Sequence, residues 1–220
     1  MQKILKAIKK ILDFVFGSRA DKWYWKFRHV IDPKWAESYV SSQSLEHSHR
    51  KLLVETISRY APFASLFEIG CASGPNLFLI AQKFPDTTLT GIDISTRAVE
   101  KGRAWFAEKG IQNTSFSVGG FEHLSPIPDK SFDIVISDAT LLYADPEQMK
   151  KIAPDMIRIA RKAIILVEQH TDDEPFYNSH WIHNYKNIFP NAVFTKIPAK
   201  LWAGDWGKYG YIIEVLCNQK

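Results

Sequence analysis

Two acids and two glycines stand where they could hold a ligand. Glu68, Gly70 and Gly74 lie close together, and Asp93 follows about 20 residues past the glycines. The first three sit in Ser65-Leu66-Phe67-Glu68-Ile69-Gly70-Cys71-Ala72-Ser73-Gly74-Pro75-Asn76. Its apolar start reads as a buried strand, and Leu77, Phe78, Ile80 and Ala81 resume with helical spacing. Pro75 suits a first helical position, where its missing N–H has no partner to lose. Strand, glycine turn and helix together let a ligand approach bare backbone and the free N–H groups of a helix start. A dinucleotide fingerprint would need glycines where Ala72 and Pro75 stand, and a P-loop would need Lys-Ser/Thr where Pro75-Asn76 stand. What remains is acid-x-Gly-x-x-x-Gly, with Asp93 ending the next strand at the distance used to grip a ribose hydroxyl pair.

The elements that must position these residues alternate. Strands are expected at 65–70, 88–93, 114–118, 132–138 and 163–168, with helices at 75–84, 95–109 and 146–160 between them. Ser95 caps the second helix, Gly110 stops it, and Asp145-Pro146 starts the third. A further helix is expected at 177–188, then strands at 192–197 and 209–217 as an edge hairpin. This is the α/β pattern of a parallel sheet, which binds ligands at the carboxyl ends of its strands. Those ends carry Glu68 to Gly74, Asp93 and Ile94, Gly119 to Glu122, Asp138 to Thr140, and Glu168 to His170.

On Glu68-Ile69-Gly70-Cys71-Ala72-Ser73-Gly74 and Gly91-Ile92-Asp93-Ile94-Ser95, residues 61–168 resemble the class I S-adenosylmethionine-dependent methyltransferases. The resemblance implies a Rossmann-like, mostly parallel seven-stranded sheet with helices on both faces and an antiparallel last strand. It divides the chain into an N-terminal helical extension, 1–60, and a methyltransferase domain, 61–220. It implies S-adenosyl-L-methionine as cofactor, bound by Glu68, Gly70, Cys71, Gly74, Asn76, Asp93, Ile94, Phe121, Asp138 and Arg50. Asp93 would take the ribose and Ile94 would lie beside the adenine. Arg50 or His49, on the helix before the first strand, would meet the methionine carboxylate, although a solvated helix face explains them equally well. Where the family usually has an acid after the third strand, Gly119-Gly120-Phe121 stands instead. Phe121 could stack on the adenine and Glu122 take the polar role.

Asp138 closes the fourth expected strand in Ser137-Asp138-Ala139-Thr140-Leu141-Leu142-Tyr143, which lacks the paired prolines of enzymes that methylate exocyclic or amide nitrogen. The expected acceptor is therefore a small molecule or glycan, methylated at oxygen, and nucleic acid is disfavoured as a partner. Asp138 would lie near the methyl group, or simply cap strand-end N–H groups. A hydroxyl acceptor is helped by a general base. His170 is the first candidate, then His180 with His183, which would share a helix face at i and i+3. No metal is expected. Residues 169–180 and 198–208, with Trp202 and Trp206, would form the acceptor side and lid. The alternatives are an RNA or protein methyltransferase docking through the aromatic-basic stretch 22–39, and a non-catalytic cofactor-binding subunit.

Composition constrains the rest. The 220 residues carry a net charge of +4, too mild to demand a nucleic-acid partner, and the two cysteines, Cys71 and Cys217, have no zinc or disulfide spacing. No apolar run approaches the ~20 residues of a membrane span. Residues 3–16 form an amphipathic helix with Lys3, Lys6, Lys9 and Lys10 opposite its apolar face. It is expected to pack on its own domain or on a second subunit. Its basic face also permits an anionic membrane surface, and it could cover the substrate. A cytoplasmic protein, with or without contact to the inner membrane face, is expected. Trp23, Tyr24, Trp25, Phe27, Trp35 and Tyr39 form either a small helical cap or a stacking surface.

Overall fold

The structure, a computed structural model, describes residues 24–25, 32, 34–173, 176–177 and 180–217. The expected amphipathic helix at 3–16 lies outside them, as do Trp23 and Phe27.

Seven strands form one sheet in the order β3-β2-β1-β4-β5-β9-β8. They are β1 (Ser65–Ile69), β2 (Thr88–Asp93), β3 (Thr114–Val118), β4 (Phe132–Asp138), β5 (Ala160–Gln169), β8 (Val193–Lys196) and β9 (Gly210–Leu216). The first five run parallel, and β9 pairs antiparallel with both β5 and β8. The chain reverses its direction of travel across the sheet between β1 and β4, so the ends of β1, β2 and β4 meet at one crevice.

Alternation along each strand splits the core into two layers. Leu66, Ile134, Ile136, Ile165 and Val167 face one way, against Leu53 and Ile57 of α3 (Ser48–Ser58), Leu77 and Ile80 of α4 (Pro75–Lys83), and Val99 and Trp105 of α5 (Thr96–Glu108). Phe67, Ile69, Val135, Ile164 and Leu166 face the other way, against Met149, Ile152, Met156 and Ile159 of α6 (Pro146–Ile159), and Tyr185 of α7 (Tyr185–Ile188). Helices therefore cover both faces, as near-continuous apolar parallel strands require.

Local chemistry sets the helix starts. Ser95 accepts from Ala98 N to cap α5. Asp145 and Gln148 form a reciprocal capping box at α6, with Pro146 at its first turn. The short helices α1 (Trp35–Ser38) and α2 (Ser42–Leu45) precede α3. Trp35 and Ala36 pack on Ala98, and Ser73 Oγ donates to Ala36 O at 2.9 Å, tying the extension to the glycine turn.

One expected element is replaced. Residues 177–188 do not form one helix: Phe176–Tyr177 (β6) and His180–Trp181 (β7) pair antiparallel, and among the described residues of this range only Tyr185–Ile188 is helical. Asn184 starts that helix by accepting from Lys186 N and Asn187 N. Phe176 and Trp181 pair across the hairpin, so they use the period of a strand and not that of a helix.

Candidate functional site

The glycine turn is built as the spacing of Gly70 and Gly74 predicts. Gly70 and Cys71 N–H both donate to Ile92 O, at 2.8 and 2.9 Å, which lashes the turn to β2. Gly70 has φ +73°, and a Cβ there would lie 2.1 Å from Thr140 Oγ1. Gly74, at φ +80°, is the N-cap of α4, and a Cβ there would lie 2.6 Å from the Phe116 ring. Gly74 serves packing below the turn and is not part of the cavity wall. Gly91, which opens the second motif, is constrained by space alone, because a Cβ would meet Cys71 Sγ at 2.7 Å. Ala72 also takes a left-handed backbone, φ +48°, and Asp93 accounts for it: Asp93 Oδ2 accepts from Ala72 N at 2.8 Å.

Above the turn lies a cavity of about 290 Å³. Its wall includes Arg50, Glu68, Gly70, Cys71, Asn76, Asp93, Ile94, Phe121 and Asp138, so nine of the ten residues expected to bind cofactor converge there.

At one end, Asp93 accepts from Ala72 N and from Ser95 N, each at 2.8 Å. Burial pushes its carboxyl up to about 6 despite these two donors. Each oxygen keeps a further lone pair, enough to receive a pair of hydroxyls. Ile94, Gly119, Gly120, Phe121 and Glu122 continue this end as a largely apolar slot.

At the other end lies a buried polar network. Asn76 Nδ2 donates to Glu68 Oε1 at 2.7 Å and to Asp138 Oδ2 at 3.0 Å. Arg50 donates to Asn76 Oδ1 at 2.6 Å and to Asp138 Oδ2 at 3.3 Å. Arg50 also grips Ser44 through its carbonyl and hydroxyl. The N-cap of α3 is His47, and Arg50 is buried in the cavity wall with most of its donors already used inside the protein, so it is not on a solvated helix face. Burial, with the Asp138 charge, pushes Glu68 up to about 8, so it carries a proton at neutral pH. Burial would also raise Asp138, but His49 and Arg50 outweigh it and hold the carboxyl well below the usual range. Among the described residues, Glu68 Oε2 and Asp138 Oδ1 are buried without a hydrogen-bond partner. Such orphaned atoms at the edge of a cavity fit a polar ligand that completes them.

The bend after β4 is set by Glu168 of β5. Its Oε1 accepts from Ser137 Oγ, Thr140 N and Leu141 N, all at 2.9 Å. Burial pushes this carboxyl up to about 7. The residue is a brace for Asp138 and Thr140 and does not line the cavity.

Aromatic rings close the top. Trp25 meets Tyr143 at 4.9 Å and Trp35 at 5.6 Å, and Tyr39 meets Trp35 at 5.3 Å. Trp202 stacks on His49 at 4.1 Å and on Trp206 at 4.0 Å. Of the expected acceptor loops, 198–208 therefore reaches the cavity through Trp202, while no described residue of 169–180 lines it.

The histidines expected to act as bases lie elsewhere. His170 is buried behind β5, its Nδ1 facing Tyr185 N and His183 O, both at 3.2 Å. His180 contacts Gln169 Oε1 at 2.8 Å, and His183 Nε2 contacts the carbonyls of Leu141 and Ala144. They share no helix face, because β7 is extended. The imidazole in the cavity wall is His49, whose Nε2 lies 3.0 Å from Asp138 Oδ2. Cys71 also lines it, but burial raises its thiol well above the ordinary value, which leaves it inert. Among the described residues no group of three or more His, Cys, Asp or Glu could hold a metal ion.

A family model described as a methyltransferase domain matches residues 64–214. The arsenite methyltransferase of Halobacterium salinarum is 30% identical over 102 residues, 46% of this chain and 25% of that protein. The ajmaline N-methyltransferase of Rauvolfia serpentina is 29% identical over 142 residues, 58% of this chain and 47% of that protein. The chain thus spans from a quarter to about half of the length of these curated relatives. In fold it is similar to the magnesium protoporphyrin IX methyltransferase of Synechocystis PCC 6803, solved with bound S-adenosylmethionine. The TM-score is 0.63 at 15% identity, over 90% of this chain and 96% of that one. The match covers well over half of the chain, and it agrees with the strand order, the glycine turn and the acid ending β2. The chain belongs to the class I S-adenosylmethionine-dependent methyltransferases.

Proposed function

We propose that the protein transfers the methyl group of S-adenosylmethionine to a hydroxyl of a small molecule or glycan. The observation that carries the small-acceptor reading is the aromatic roof. Trp25, reaching across to Tyr143, covers the cavity from the extension side, which suits a small guest better than an RNA or protein chain. Asp93 would receive the ribose hydroxyls in charge-assisted bonds. Ile94 and Phe121 would flank the adenine. The polar groups around Glu68, Asn76, Arg50 and Asp138 would meet the methionine end.

The cofactor supplies a methyl group already activated by its positive sulfur. What this chain adds is alignment of the acceptor with that methyl and exclusion of water by the roof. Oxygen is favoured because no paired prolines follow Asp138 to cradle an amide or exocyclic amine, and because a carboxylate–imidazole pair stands where a hydroxyl would lose its proton. Two free cysteines, one buried at the turn, suit a reducing cytoplasm.

The test is incubation with methyl-labelled S-adenosylmethionine and an extract of the source cells, separated into small molecules, protein and RNA. Label in small molecules at oxygen is expected. Label confined to RNA or protein would refute the proposal.

A further inference from the structure

The geometry points to His49 as the general base of the reaction. This rests on the proposed oxygen transfer and assigns the group that takes the hydroxyl proton. His49 sits in the first turn of α3, is buried, and lines the cavity at the Asp138 end. Its Nε2 is 3.0 Å from Asp138 Oδ2, and its Nδ1 is 2.5 Å from His47 Nδ1.

The proton positions follow from chemistry. Asp138 is held ionised, so its oxygen only accepts, and His49 Nε2 must carry the hydrogen. In a neutral ring Nδ1 is then the bare nitrogen. It accepts from His47 Nδ1–H here, in the place an acceptor hydroxyl would take. A carboxylate that fixes the tautomer of an imidazole and stabilises its charged form is the arrangement of a general base. In the reaction the O–H bond breaks to His49 Nδ1 as the acceptor oxygen bonds to the methyl and the S–CH₃ bond breaks. His49 holds the proton until the methylated product leaves and water takes it. The His47 ring is partly exposed, and burial, with His49 and Arg50, lowers its affinity for protons. The groups facing His49 are Asp138 from β4, His47 and Arg50 from its own helix, and the Trp202 indole stacked on its face.

The test has two arms on the full-length chain. The first is ¹⁵N-histidine NMR of the wild type bound to S-adenosylhomocysteine, from pH 6 to 9. In the singly protonated ring the hydrogen is expected on Nε2, facing Asp138. A singly protonated ring that carries its hydrogen on Nδ1 overturns the assignment. The second arm compares His49→Gln with wild type, using catechol, simple phenols and hexoses as probe acceptors. Gln can still donate to Asp138, so calorimetric affinity for S-adenosylhomocysteine should stay within about threefold, while kcat falls ~10²–10⁴-fold. The acid limb of the pH–rate profile should vanish with it. Unchanged kcat on a hydroxyl probe overturns the base alone. Transfer only to nitrogen or sulfur sinks the oxygen reading and this assignment together.

Discussion

Gly70→Ala probes the turn on which the cavity rests. A Cβ at this position meets Thr140 Oγ1, Cγ2 and Cβ at 2.1, 2.4 and 2.7 Å, and the backbone stands at φ +73°. A left-handed L-residue costs ~1–2 kcal/mol. Overpacking against the threonine adds ~1–3 kcal/mol. The expected destabilisation is therefore ~2–5 kcal/mol, read from equilibrium urea unfolding. Thr140 cannot simply yield, because its N–H is held by Glu168. Combining Gly70→Ala with Thr140→Gly removes all three clashing atoms but not the backbone cost. The double mutant should recover the ~1–3 kcal/mol overpacking share, a coupling measurable in a double-mutant cycle. Cofactor affinity should fall in the single mutant and recover in part in the double. Gly70→Ala within about 0.5 kcal/mol of wild type, or a coupling of zero, would refute the reasoning.

Glu68→Gln should stabilise the protein at pH 8 and do little at pH 4.5. The folded carboxyl titrates at about 8 against 4.5 unfolded, so the folded state keeps its proton longer. The penalty opens as pH rises past 4.5 and is complete above 8, with an upper bound of ~5 kcal/mol. Urea midpoints of both proteins across this range check it, and a constant difference contradicts it. Glu168→Ala should destabilise by ~2–6 kcal/mol, because Thr140 N and Leu141 N lose their acceptor at ~1–3 kcal/mol each. Thermal unfolding decides, and a loss under 1 kcal/mol speaks against the brace. Trp25→Ala removes ring contacts to Tyr143 and Trp35, each worth ~0.5–1.5 kcal/mol. Stopped-flow release of S-adenosylhomocysteine should accelerate roughly 5- to 100-fold, and an unchanged rate removes the roof from the account.

Much of this was legible in the chain because the signals are local. Strands β2, β3 and β4 run where their apolar patterns put them, and Ser95 and Asp145 cap the helices they precede. Gly70, Asn76 and Asp93 fall at strand ends whose position the α/β alternation dictates. His170, the first candidate base, falls outside the cavity for the complementary reason. His170 sits just past a strand end, as local logic asked, but β9 and α7 bury it. The pair that does form, His49 with Asp138, joins residues 89 positions apart. It exists because α3 packs across the end of β4, which no periodicity encodes. The Trp25–Tyr143 roof is hidden for the same reason. At 177–188, histidines spaced i and i+3 suggested a helix face, and the Phe176–Trp181 cross-strand pair overrode it.

Calorimetric titration with S-adenosylmethionine, on wild type, Asp93→Ala and Asp93→Asn, tests the central claim most directly. Two charge-assisted bonds to ribose at ~1.5–3 kcal/mol each predict one-to-one binding by the wild type and a ~10²–10⁴-fold loss in both variants. A wild type that does not bind, or variants that bind as well as it does, would contradict the assignment of this cavity.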